Sequence, residues 1–162
     1  MGRWRAPGKP AAPYITAEGF RLLEQESKRL WEHRREVVRH LAAAAAEGDR
    51  SENAEYQYRK KELREIDRRL GYLQRRMPVL EVVSRTPDSA DRVFFGALVE
   101  LEDERGQLHR FRVVGSDEAR PEAGAISLDA PLAQRLMGRR IDDEIEFEPM
   151  GRLIVTAIEY PT

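Results

Sequence analysis

No cysteine occurs in the 162 residues, which excludes disulfides and thiolate zinc sites. No apolar run approaches the roughly 20 residues that a bilayer-spanning helix needs. The opening MGRWRAPGKPAAP is basic but has no apolar core, so it does not read as a secretory signal. Its Pro, Gly and Ala content predicts a disordered tail over residues 1–15. There is no internal repeat. A cytoplasmic protein without a membrane partner is the expectation. What is present is charge: 35% charged against 41% hydrophobic residues suits long solvated helices beside a modest core, in one ordinary domain or two small ones. The net charge of −1 hides an asymmetry. Residues 1–80 hold 18 Lys/Arg against 12 Asp/Glu, and residues 81–162 hold 10 against 17. The basic half suits nucleic acid and the acidic half a basic protein surface, unless both are simply solvated.

The segment beginning at Thr16 has an N-cap residue followed by Glu18 in the first turn. Phe20, Leu23, Ser27, Leu30, Arg34, Val37, Leu41 and Ala44 then recur three and four residues apart, the spacing of a heptad seam. The run LAAAAA continues the helix, and Gly48 is a natural stop. A second seam runs through Tyr56, Arg59, Leu63, Ile66, Leu70, Leu73, Met77 and Leu80. Paired antiparallel, the two close on one register: Phe20 with Leu80, Leu30 with Leu70, Val37 with Leu63, Ala44 with Tyr56. The spacing predicts an antiparallel coiled-coil hairpin over residues 16–80. About 30 residues per arm reach roughly 45 Å, with an acidic tip near residues 47–55. Pro78 predicts a kink or an end of the second helix near Met77.

Beyond Val82 the period changes. VFFGALVELED and QLHRFRVVGS read as strands joined by the turn-rich DERG, and GAISLDA as another strand. PLAQRLMGR reads as a short helix with Pro131 at its first position. DEIEFEPMGRLIVTAIEY reads as a hairpin turning at Pro149 to Gly151. Residues 81–162 are thus predicted to form an antiparallel sheet with one short helix, giving an α+β chain. The linker is expected near Ser84 to Asp91.

Asp49 and Glu52 stand three residues apart at the turn. One reading is a capping box, with Asp49 as cap and Glu52 reaching back, or Ser51 as the cap. The other is metal binding. Two carboxylates at a turn can hold Mg²⁺, but they are too few for a tight site, so a partner would have to complete it.

The run GDRSENAEYQYRKKELREIDRRLGYL resembles the tip and second helix of the Gre transcript-cleavage factors, the GreB branch more than the GreA branch. VFFGALVELED, HRFRVVGSDE and ISLDAPLAQRLMG resemble the C-terminal domain of the same family. The likeness spans Tyr14 to Tyr160 in order. It implies an N-terminal coiled coil and a C-terminal domain of FK506-binding-protein-like (FKBP-like) fold. It further implies a monomer that binds bacterial RNA polymerase, on its largest subunit, at the secondary channel. Asp49 and Glu52 would then be catalytic ligands of a weakly held Mg²⁺ shared with the polymerase active site. That ion would activate a water for cleavage of backtracked RNA, rescuing arrested complexes. The chain alone would be no nuclease and hold no tightly bound cofactor. Ser51, Asn53 and Tyr56 would support the ligands, and Asp129 and Pro131 would contact the polymerase. The family usually has Ser before that proline, where this chain has Ala130, a departure that bears on one docking hydrogen bond rather than on docking. Pro78 and the tail before Tyr14 are also atypical and bear on the angle between domains.

Behind the tip stand Arg59, Lys60, Lys61, Arg64 and Arg68, of which Lys60, Arg64 and Arg68 share a face. They are expected to meet the extruded, single-stranded 3′ end of the nascent RNA; the alternative is a solvated face with local pairs such as Glu55–Arg59. His33, His40 and His109 carry no assigned role. Two rival readings stand beside cleavage. A secondary-channel inhibitor could use the same architecture, but Asp49 and Glu52 argue against it. A prolyl isomerase is suggested only by the C-terminal fold, and fold does not carry function.

Overall fold

The computed structural model describes residues 10–47 and 54–161. The chain divides into two compact units, Glu18–Leu80 and a second that joins the segment up to Ala17 to Glu81 and beyond.

The first unit consists of helices α1 (Ala17–Ala46) and α2 (Ala54–Arg76). The heptad spacing turns one stripe of each inward. Val37, Ile66 and Leu70 are buried against one another, with Leu30, Leu41 and Leu63 packed beside them. Burying each such leucine or isoleucine contributes about 1.5–3 kcal/mol. Ion pairs flanking the seam fix the antiparallel register independently of the apolar contacts. Arg69 makes a two-pronged contact with Glu26, at 2.6 and 2.9 Å, and Arg34 Nε donates to Asp67 at 2.7 Å. His33 Nε2 meets Glu62 Oε1. Arg34–Asp67 sits one residue from the register expected from the sequence, and the other two pairs sit about a turn and a half from it. Arg69 holds the Glu26 carboxyl below the usual carboxylate range, against the opposing effect of burial. α2 ends at Arg76, and Met77–Val79 form a single 3₁₀ turn with Pro78 at its start. Proline has no amide hydrogen and clashes with the preceding turn, so the α-helix stops where it does.

The second unit is built on a five-stranded sheet. Its strands are β3 (Leu98–Glu102), β4 (Leu108–Val114), β5 (Ala125–Ser127), β6 (Glu144–Phe147) and β7 (Gly151–Glu159), ordered β5-β4-β3-β7-β6. Alternation in β3 buries Val99 and Leu101 and leaves Leu98, Glu100 and Glu102 only partly covered. Val113, Ile126, Ile145, Leu153 and Val155 join that core. Helix α3 (Pro131–Leu136) contributes Leu132, Ala133 and Leu136. The β3–β4 turn is held by Asp103, whose Oδ1 accepts from the amides of Arg105 and Gln107, while Oδ2 faces His109 Nε2 at 2.8 Å. The His109 contact, helped by those amides, draws the Asp103 carboxyl below its usual range. A carboxyl lowered on folding stabilises above its unfolded value and loses that effect as acid protonates it. Asp103→Asn is therefore expected to lower the melting midpoint at pH 7, and the deficit should shrink as the pH falls below about 4, the ordinary carboxylate value. A deficit independent of pH would show that packing, not charge, holds the turn.

Three sequence expectations need correction. The tail predicted over residues 1–15 is ordered where the description begins. Tyr14–Thr16 form strand β1, paired in parallel with β2 (Glu81–Val83), and Ile15 is fully buried. The pairing lies far away in sequence, so no local pattern announces it. Second, the sheet is mixed rather than antiparallel, because β5 pairs with β4 in parallel. The connection through Asp117–Gly124 returns the chain alongside β4 instead of folding it back. Third, the strand expected from VFFG begins only at Leu98. Gly96 has φ +89 and Phe94–Ala97 form a turn closed by Ala97 N–H to Phe94 O.

β1 is clasped by Glu118. Its Oε2 accepts from the Thr16 and Gly115 amides at 2.8 and 3.0 Å, and Oε1 takes the Thr16 hydroxyl. Gly115 is required here, because a Cβ would lie 2.0 Å from the Tyr14 carbonyl oxygen.

Candidate nucleic-acid and polymerase interface

The antiparallel register brings the C-terminal end of α1 and the N-terminal end of α2 to the same end of the hairpin. The segment that joins them carries Asp49, Ser51, Glu52 and Asn53, all outside the described residues. Their donor set is suited to Mg²⁺, a hard cation that takes oxygen ligands, retains waters and accepts carboxylates from more than one source. Among the described residues, no group of three or more His, Asp or Glu is arranged to hold a metal ion.

Tyr56 is half-buried at a seam position in the first turn of α2, with Lys60 Nζ 5.5 Å from its ring centroid. The basic residues that follow separate into two kinds. Arg59 is a seam residue, partly buried, and its guanidinium donates to Glu62 at 3.2 Å. Glu62 also receives His33, so the charge of Arg59 is committed within the hairpin. Lys60, Lys61, Arg64 and Arg68 are exposed. Among the described residues no ion pair engages Lys61, Arg64 or Arg68. Where a merely solvated face was expected to show local pairs such as Glu55–Arg59, the ion pairs among the described residues join Arg59 to Glu62 and Arg69 to Glu26. A line of uncompensated cations therefore runs back along α2 from its N-terminal end.

Sequence reasoning passed over Tyr58. It is 65% exposed, more than any other large hydrophobic side chain among the described residues. Its signal was an aromatic residue two positions beyond a seam residue, on the outer side of the helix.

In the second unit, Asp129 and Pro131 flank the start of α3. Pro131 is exposed at the first helical position. Asp129 Oδ2 accepts from the Ala12 amide at 3.0 Å, and the Asp129 amide donates to Ser127 Oγ at 3.1 Å. The chain just before β1 thus orients one carboxylate oxygen of an exposed residue. Ala130, at the cap of α3, supplies no side-chain hydrogen bond.

Comparison with known proteins joins these features. The family model described as "Transcription elongation factor, N-terminal" matches residues 13–82, and "Transcription elongation factor, GreA/GreB, C-term" matches residues 87–160. The chain belongs to the GreA/GreB transcription elongation factor family. Transcription elongation factor GreB of Xanthomonas axonopodis pv. citri (strain 306) is 53% identical, over 99% of this chain and 98% of that protein. Transcription elongation factor GreB of Pseudomonas aeruginosa is 47% identical, again over 99% and 98%. Among solved structures, GreA factor homolog 1 of Thermus thermophilus aligns over 90% of this chain and 97% of its own, at 25% identity and a TM-score of 0.43. Membership of the GreA/GreB family rests on the sequence relatives and the two family models, which together span both units. No helix among the described residues is long and apolar enough to cross a membrane.

Proposed function

We propose that this GreA/GreB-family chain binds bacterial RNA polymerase at its secondary channel, through the largest subunit, and stimulates Mg²⁺-dependent cleavage of the 3′ end of backtracked RNA. The observation that carries the reading is a two-helix arm whose connection holds Asp49 and Glu52 and whose exposed side holds uncompensated cations. A 30-residue helix extends about 45 Å, so acids on the connection can be delivered to a recessed site. The two carboxylates provide negative charge and oxygen ligands at that end. A divalent ion held there together with polymerase groups supplies an activated, oriented water for attack on a phosphodiester. Most of the site belongs to the polymerase, so the chain alone hydrolyses nothing. Ser51, Asn53 and Tyr56 support the acids. Lys60, Lys61, Arg64 and Arg68 meet phosphates of the extruded strand, while Asp129 and Pro131 contact the polymerase. The chain acts in the cytoplasm, as a monomer.

The test is an arrested elongation complex incubated with the full chain and Mg²⁺, its RNA products resolved on a gel. Shortened RNA must require polymerase, chain and Mg²⁺ together. The variant Lys60→Ala/Lys61→Ala/Arg64→Ala should lose cleavage most on deeply backtracked complexes, which extrude more phosphates along the arm. Each lost single-strand phosphate contact should reduce the salt slope by about 0.7. A mutant-to-wild-type ratio flat across backtrack depth would remove RNA contact from this face and leave the role of Asp49 and Glu52 standing.

A further inference from the structure

Tyr58 has no evident structural employment. It points away from the seam, and among the described residues nothing hydrogen-bonds to it or stacks on it. An exposed tyrosine also makes a poorer helix residue than the alanines and arginines around it. Its surroundings are informative. Tyr58, Lys61, Glu65, Arg68 and Tyr72 recur at three- and four-residue spacing, so they share one face of α2. All are exposed. They lie two residues out of step with the seam, which places them about 200° around the helix and facing outward. Tyr58 is on the second turn of α2, counted from the end that carries Asp49 and Glu52, and the cations follow it.

Phosphates account for cations but not for an aromatic ring. A ring set among cations beside a single strand suits the other half of a nucleotide, because every base offers a face to stack on. We propose that Tyr58 is a base-stacking residue for the extruded RNA 3′ segment, holding unpaired bases while Lys61 and Arg68 meet the backbone. This rests on the proposed cleavage role of the arm and adds a contact to RNA bases. Stacking tolerates any base, so the contact would grip without selecting sequence. It would confine the strand laterally while the acids at the connection act on the bond.

The test uses the full chain and a polymerase complex backtracked by a few nucleotides, with 2-aminopurine in the extruded segment. Binding is followed by fluorescence with Mg²⁺ withheld, so that the RNA stays intact whatever the role of Asp49 and Glu52. The wild-type chain should quench the probe. Tyr58→Phe should quench equally, and Tyr58→Ala and Tyr58→Leu should not. With Mg²⁺ restored, Tyr58→Ala should slow cleavage about tenfold, as expected for one lost stacked base. On RNA abasic at the extruded positions, wild type and Tyr58→Ala should be equally slow. Unchanged quenching in Tyr58→Ala, or an equal loss on base-bearing and abasic RNA, would overturn the assignment. Failure of the wild-type chain to promote cleavage, with quenching intact, would instead count against the cleavage reading alone.

Discussion

Asp49→Asn or Glu52→Gln is expected to abolish stimulated RNA cleavage while leaving polymerase binding almost unchanged. The amide keeps the size and shape of the carboxyl but removes the charge and one strong oxygen donor. Mg²⁺ is held through few protein ligands, commonly carboxylates, with water filling the rest. Losing one of two leaves a single carboxylate as this chain's share of a site that is already weakly held. The capping interpretation of the same two residues makes an opposite forecast. A lost cap costs about 0.5–2 kcal/mol, Asn caps nearly as well as Asp, and a hairpin with a buried Val37–Ile66–Leu70 cluster withstands that cost at low temperature. Cleavage would then survive in both variants. The measurement is cleavage rate in an arrested complex beside affinity for the polymerase, with a melting curve to confirm folding. Full activity from a folded double variant would exclude a role in metal binding.

The hairpin was legible in the sequence because two seams carried redundant information. Either one predicts a helix, and their closure on a common register predicts the partner. The ion pairs that flank the seam were less legible. Glu26, His33 and Asp67 lie off the apolar positions, and their partners are set by side-chain reach rather than by period. Pro78 was readable because its effect is local and steric. Strand β1 was not, since its three residues follow Pro13 and pair with Glu81–Val83 across the whole length of the hairpin. Its partly buried clasp, Glu118, looks in sequence like any other acid in an acidic half.

The candidate site divides in the same way. The spacing of Asp49 and Glu52 pointed to either a cap or a ligand pair, and only resemblance to a family selected between them. The basic run after Tyr58 was visible, but a count of charges cannot tell a committed cation from an available one. Arg59 lies in the seam against Glu62, whereas Lys61, Arg64 and Arg68 have no ionic partner among the described residues. That difference follows from the angular position of each residue on α2. The same angle exposes Tyr58, which composition alone would assign to a core.

The correction at β1 changes how docking by the second unit should be tested. A fragment beginning at Val82 is expected to be poorly folded and a weak competitor for polymerase. Residues 10–17 joined to Glu81 through a flexible linker should restore both properties. Without β1, the space filled by Ile15 is open, and its burial contributes about 1.5–3 kcal/mol. Glu118 loses the Thr16 amide and hydroxyl, and Asp129 loses the Ala12 amide. At about 1 kcal/mol per hydrogen bond, the combined loss is a large part of the 5–15 kcal/mol that stabilises an ordinary domain. A fall in melting midpoint of more than about 10 °C follows for a unit of this size. The linker is feasible. In parallel pairing Ala17 lies about 11 Å from Glu81, by strand rise and spacing, and eight Gly/Ser residues span roughly 16 Å. The linked fragment should displace full-length chain from polymerase yet never support cleavage, since it lacks Asp49 and Glu52. Equal melting of the two fragments would show that β1 is dispensable. A well-folded linked fragment that fails to compete, even in excess, would move the docking surface from Asp129 and Pro131 to the arm.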